Sequence, residues 1–400
     1  MTESTWQDDY ASRMLRIFGQ PLAQLVRGEG AYVWDVEGRR YLDFLAGIAV
    51  NSLGYAHPVF VEAVHRQAST LAHVSNFFST PPQLALAARL LRLTGADAHG
   101  GRVFFGNSGT EANEAALKLS RLTGRTRVLA LTNSFHGRTL GALSVTGKAA
   151  LREPFEPLLP GVEFLDSTVA ALDAAIGDDV AALIVEPIKG EAGVLPLPDG
   201  YLAAARELTS RHGALLIIDE IQTGAGRTGE WFGYQADGIV PDAITLAKGI
   251  GGGMPIGAMV TFGAAAELMG AGQHGSTFGG NPLATAVADA VLEEIERSDL
   301  VTNAASRGRE LSNVVLDLDS ELVAGVRGRG LLLGVALTQP VASAVVTAAL
   351  GHGLIVNAAN PETIRLVPPL NIGDAEVADF GARFAEALRT VEAVIEAGDA

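Results

Sequence analysis

The sequence predicts an α/β fold, a mostly parallel sheet flanked by helices, with a smaller α+β unit built from both ends of the chain. Short β-branched runs alternate with helical patterns through the middle of the chain, a texture that reads as crossover units around a parallel sheet. The 400 residues exceed the size at which one core usually stops growing, so a second, smaller unit is expected. The apolar fraction of 48% supports ordinary globular folding.

In chain order, the opening Met1 to Tyr10 lacks the basic stretch and apolar core of a signal peptide. No apolar run is long enough to cross a bilayer, and the absence of cysteine suits a reducing compartment, so a cytoplasmic protein without a membrane partner is expected. Tyr32 to Val36 and Tyr41 to Phe44 alternate apolar and polar residues around Glu37-Gly38, which reads as a β-hairpin. After Pro58 come strand candidates at Arg102 to Phe105, Arg127 to Leu131, Ala182 to Val185, Ala214 to Ile218, Ala243 to Ala247 and Ile256 to Val260. Beyond Asn281-Pro282 an Ala-rich helical stretch runs to about Arg297, followed by strand candidates at Gly330 to Ala336 and Thr363 to Val367. The expected division is 1–60 joining the small unit, 61–281 as the large one and 282–400 as the rest of the small one.

The formal charge of −16 argues against nucleic acid as a partner. Without cysteine there is no disulfide, thiolate catalysis or Cys-ligated zinc, and the eight histidines form no HExxH pair, so no metal is expected.

Two strand ends carry the chemistry. Lys248 follows an apolar run and precedes Gly249-Ile-Gly-Gly-Gly253, while Asp219 ends the run Ala214 to Ile218. A random lysine after a strand is a solvated surface group about nine times in ten, but the apolar lead-in and glycine tail reverse those odds. An amine and a carboxylate so placed would hold opposite sides of one ring, the arrangement that pyridoxal phosphate requires. Gln222, three residues beyond Asp219, would reach the ring hydroxyl. Gly106 to Asn113 joins a strand to a helix: the amides of the helix start, the Ser108 and Thr110 hydroxyls and the freedom of Gly109 suit a phosphate, and Ser108 with Glu111 has capping-box spacing. Phe135 would stack on the ring, Arg138 would clamp a carboxylate, and His136 reads equally well as a loop histidine without a catalytic part. Gly275 to Gly280 is a second glycine-flanked hydroxyl pair, or only a turn.

Taken in order, Ser108 to Asn113, Phe135 to Arg138, Glu186-Pro187, Asp219 to Gln222, Lys248-Gly249 and Ser276 to Pro282 resemble the class III (ω-amino acid) aminotransferases, most closely the branch that acts on acetylornithine. The likeness runs from about Leu25 to Leu370. It implies a fold-type I transferase with a sheet of the seven-stranded type. Lys248 would hold the cofactor aldehyde covalently, Asp219 the ring nitrogen, Phe135 the ring face, and Gly109 and Thr110 the phosphate. Thr277 would join from the other subunit of a homodimer with shared sites. Arg365 would take the α-carboxylate of 2-oxoglutarate, Glu191 would pair with Arg365 in the other half-reaction, and Arg138 would hold the donor's α-carboxylate with Ser276 and Asn76 nearby.

The activity so implied moves the δ-amino group of N2-acetylornithine to 2-oxoglutarate, in arginine biosynthesis. Ornithine, succinylornithine and 4-aminobutyrate are alternative donors. Ile48 stands where ornithine enzymes usually carry a tyrosine, which favours an N-acylated donor, whereas Phe77 and Phe78 replace a tyrosine often found in relatives. A glutamate-semialdehyde aminomutase type of isomerase and a non-catalytic cofactor-binding protein are the rival classes.

Overall fold

A computed structural model describes residues 5–398. Its centre is a seven-stranded sheet in the order Arg102–Gly106, Gly257–Thr261, Ala243–Leu246, Leu215–Asp219, Val180–Val185, Arg127–Leu131, Val162–Leu165. All pairings are parallel except the two made by Gly257–Thr261, which runs against both neighbours. The four strands Gly257–Thr261, Ala243–Leu246, Leu215–Asp219 and Val180–Val185 are buried along their whole length. Helices cover such a sheet on both faces, so its strands read as continuous apolar runs rather than alternating ones.

Val162–Leu165 is an edge strand that the sequence reading missed. Its four residues bury only Leu165, so it has neither a long apolar run nor a full alternation. The long helical stretch is present as Pro282–Arg297, with proline in its first turn and the Asn281 side chain accepting from the Ala284 N–H at 2.8 Å. It packs against Pro58–Thr70 and Pro81–Thr94.

The early hairpin forms as Tyr32–Asp35 against Arg40–Asp43, closed through Gly38 at φ +82°. Leu25–Glu29 extends it on one side, and Leu354–Ile355 adds in parallel on the other. Chain from both ends thus shares one small sheet. A second sheet, Val323–Arg329, Leu332–Leu337, Thr363–Leu366, Asn357–Asn360, is antiparallel throughout. The expected strand Gly330 to Ala336 is the later half of a hairpin whose first half, interrupted by Gly325 and Gly328, showed no strand pattern. Among the described residues no helix is long and apolar enough to cross a membrane, and no cluster of potential metal ligands occurs.

Candidate active site

Because most strands of the large sheet run the same way, their carboxyl ends open on one edge, where ligands of such sheets bind. Asp219 is the last residue of its strand, Glu186 follows Val180–Val185, and Ser108 follows Arg102–Gly106. Lys248 lies two residues beyond Ala243–Leu246, and Phe135 four beyond Arg127–Leu131. The antiparallel strand starts at this edge, which is why Ile256 belongs to the same wall. Together these residues line a cavity of about 440 Å³, with Gly109, Thr110, Arg138, Glu191 and Gln222 also on its surface.

Lys248 sits at φ +44°, a left-handed conformation unusual for a lysine, on a short 3-10 turn. A Cβ on the next residue, Gly249, would lie 2.8 Å from the Ser52 Oγ. Burial, then the nearby Arg365 guanidinium, holds the Lys248 amine below its ordinary proton affinity, against the opposing pull of Glu191, Asp219 and Glu186.

Asp219 is buried and fully engaged. Its Oδ2 accepts from His136 Nδ1 at 2.7 Å and from Asn113 Nδ2 at 2.8 Å, and its Oδ1 accepts from the Ile221 N–H at 3.0 Å. The imidazole therefore carries its proton on Nδ1. Asn113 also donates to the His136 carbonyl at 2.7 Å. These contacts fix the carboxylate in place. His136, read from sequence as equally a loop residue, is the closest partner of Asp219. Asn113 and Ile221 were likewise not assigned. Their signal was position alone, since both fall in segments already singled out.

Glu186 was quoted from sequence without a role, yet it faces the cavity, 8% exposed. Burial and then the negative Asp219 raise its carboxyl well above the usual range, with Lys248 and the Phe135 N–H opposing.

At the other end of the cavity Ser108 caps the helix Gly109–Arg121, its hydroxyl accepting from the Glu111 N–H at 3.3 Å. The full capping box does not form: the Glu111 carboxylate accepts instead from the N–H and the amide of Asn107, both at 2.8 Å. A Cβ at Gly109 would stand 2.6 Å from Ile221 Cδ1, so glycine is what lets the helix start lie against the Asp219 turn. The Thr110 hydroxyl pairs with that of Thr139 at 2.8 Å.

Arg365 is buried behind the cavity surface. It is ion-paired to Glu191, donates to Asn357 Oδ1 at 3.0 Å and approaches Gln222 Oε1 at 3.4 Å. Burial would raise the Glu191 carboxyl, but Arg365, helped by Lys248 and Lys148, brings it below its ordinary value. Arg138 is exposed and lies over the Phe135 ring, 5.6 Å from its centroid.

Three expected residues stand outside the cavity of the single chain. Asn76 donates to the carbonyls of Ser276 at 3.2 Å and Gly279 at 2.9 Å, and Ser276 Oγ accepts from Asn107 Nδ2 at 3.1 Å. Thr277 and Phe278 are exposed beside them, as are Phe77 and Phe78. Ile48 is also turned out of the cavity, which Val50 lines instead, because Gly47, Ile48 and Ala49 are left-handed and redirect the segment.

The model of the aminotransferase class-III family matches residues 17–388. An acetylornithine aminotransferase of Mycolicibacterium smegmatis is 52% identical over 94% of this chain and 96% of its own, and that of Streptomyces coelicolor is 50% identical over 95% and 94%. Among solved structures, the ornithine aminotransferase of Toxoplasma gondii superposes with a TM-score of 0.92 at 33% identity, over 98% of this chain and 97% of that one. The N-acetylornithine aminotransferase of Stenotrophomonas maltophilia gives 0.82 at 38% identity, over 95% and 99%. A second structure of the Toxoplasma enzyme shows partial occupancy of pyridoxal phosphate at its active site.

The residues present fit that cofactor. An amine and a carboxylate held by His136 and Asn113 face one cavity, and the start of a capped helix with Gly109 packed on Ile221 offers amides to a phosphate. The geometry and the match over nearly the whole length agree that the chain belongs to the class III aminotransferases, enzymes that use pyridoxal phosphate.

Proposed function

We propose that the chain transfers the δ-amino group of N2-acetyl-L-ornithine to 2-oxoglutarate, giving N-acetyl-L-glutamate 5-semialdehyde and L-glutamate, a step of arginine biosynthesis. The observation that carries this reading is the Glu191–Arg365 pair beside the cavity that holds Lys248. The acceptor bears a carboxylate on its reacting carbon, whereas the donor bears none there. One site serves both only if its cation is screened in one half-reaction and free in the other, since an unpaired buried guanidinium costs several kcal/mol. Glu191, about a third exposed, has room to swing away.

When bound, pyridoxal phosphate supplies an aldehyde that takes up the amino group and a ring that spreads the negative charge left by proton loss. The chain does the rest. Lys248 would hold the aldehyde and, once released, would serve as the base that moves a proton at the substrate carbon, a task for which its depressed proton affinity suits it. Asp219 keeps the ring nitrogen protonated, and His136 and Asn113 keep Asp219 in place. Phe135 would cover the ring, Gln222 would meet its hydroxyl, and Ser108, Gly109 and Thr110 would take the phosphate. Arg138 holds the donor's α-carboxylate.

The working form is a cytoplasmic homodimer. The exposed Thr277 of each subunit completes the phosphate site of its partner, and Ser276 and Asn76 lie beside the partner's donor site. Their place outside the single-chain cavity, next to the exposed Phe278, Phe77 and Phe78, supports this reading.

An ornithine donor is the runner-up, since the Toxoplasma structure superposes well. Apolar Val50 in the wall and the engagement of Glu191 by Arg365 favour an acylated, uncharged nitrogen. Acetylornithine alone should convert the purified holoenzyme to the amine form of the cofactor, read by absorption. Rates with acetylornithine, succinylornithine, ornithine and 4-aminobutyrate, each with 2-oxoglutarate, then rank the donors. Turnover without any keto acid would point to an isomerase, and a holoprotein inert to every amine would point to a non-catalytic binder.

A further inference from the structure

Arg227 lies in the turn that follows Asp219, 2% exposed. Its Nη1 donates to the carbonyls of Leu331, at 3.2 Å, and Pro368, while its Nη2 has no partner among the described residues. Among the described residues no carboxylate forms an ion pair with it, and burial alone pulls its proton affinity down. A buried cation held only by carbonyls is expensive, and an apolar side chain of similar volume would fill the space at less cost. What an apolar residue would not do is grip two backbone segments at once.

Those segments lead to the acceptor site. Pro368 stands three residues after Arg365, where the strand Thr363–Leu366 gives way to a strap without a sheet partner. The strap is tied along its length: the Val367 N–H donates to the Phe44 carbonyl at 2.8 Å, and the Leu370 N–H to that of Ser52 at 2.7 Å. Asn303 Nδ2 donates to the carbonyls of Leu370 at 2.6 Å and Ile372 at 3.1 Å. Ser52 Oγ in turn donates to the Gly249 carbonyl at 3.0 Å, next to Lys248. The strap therefore meets the Lys248 turn through Ser52 and the Asp219 turn through Arg227.

We propose that Arg227 is a positioning residue for the keto-acid half-reaction: by holding Pro368 and Leu331 it fixes where Arg365 stands relative to Lys248 and Asp219. This rests on the reading of Arg365 as the α-carboxylate site. On the proposed reading the donor half-reaction places its carboxylate at Arg138, on a loop without a backbone hydrogen bond to the strap among the described residues, so the two half-reactions separate the role from general stability.

The test uses Arg227→Met holoenzyme, which keeps an unbranched stem that fills the space but removes the Nη1 donor to both carbonyls. Each half-reaction is followed in single turnover, and glutarate, an unreactive dicarboxylate, is titrated by calorimetry. For 2-oxoglutarate, kcat/KM should fall by about tenfold or more and glutarate should bind correspondingly more weakly, while the acetylornithine half-reaction stays within about threefold of wild type. Equal losses in both half-reactions, or none, would overturn the proposal. Asn303→Ala loosens the same strap from its outer side; it carries the same expectation and the same adverse outcomes if the methionine variant does not fold. Arg365→Ala is the control. If it spares the keto-acid half-reaction, the acceptor reading itself fails; if it impairs that half-reaction while the Arg227 and Asn303 variants are unselective, only the present inference falls.

Discussion

At the scale of single residues, Lys248 and Asp219 were legible in the sequence because each follows an apolar run where a charge needs a reason, whereas the Glu191–Arg365 pair came from the family resemblance. His136 was not. A histidine after a strand has no periodic signature, and only the fold shows that its Nδ1 meets Asp219. Replacing Lys248 by alanine should lower kcat by about 10²–10⁴-fold, the usual worth of a positioned acid–base group, as read in steady-state assays of the holoenzyme. Glu191→Gln removes the screening charge from Arg365, so the acetylornithine half-reaction should slow by about tenfold while the 2-oxoglutarate half-reaction is spared; equal slowing of both would count against the switch. Lys248 also predicts a pH dependence. Its folded-state proton affinity lies below the ordinary 10.5, so between those two values the unfolded chain binds more protons and stability climbs with pH. In the cofactor-free protein, Lys248→Met should abolish that climb, as measured by thermal melts between neutral and alkaline pH.

At the scale of elements, the sheet was read from its buried members, whose apolar runs are unmistakable. The edge strand Val162–Leu165 was lost because half-buried edges carry a weaker pattern, and Val323–Arg329 because two glycines break it. The helix Gly109–Arg121 was found through its cap, but the partner of Glu111 was not, since Asn107 competes for the carboxylate from outside the expected box. That helix start is held by backbone contact as well as by its cap. A Cβ at Gly257 would stand 2.1 Å from the Ser108 carbonyl oxygen, so Gly257→Ala should push the phosphate end of the site outward. Its cost should be about 1–3 kcal/mol in denaturant melts, with faster loss of cofactor on dialysis.

At the scale of the molecule, one small sheet is shared by chain from both ends: it joins the early hairpin, which the sequence displayed, to Leu354–Ile355, which it did not. From the pattern of one chain Thr277, Ser276 and Asn76 read only as turn or loop residues, so the proposal that they serve a neighbouring subunit rests on the resemblance. Sedimentation should give a dimer, and Thr277→Val should weaken cofactor retention without changing that mass; a monomer at working concentration with full cofactor affinity would contradict shared sites. The chemistry itself depends on one covalent attachment. Borohydride reduction of the holoenzyme followed by peptide mass mapping should place a pyridoxyl group on Lys248, and a reduced, cofactor-loaded protein with that lysine unmodified would contradict the central claim.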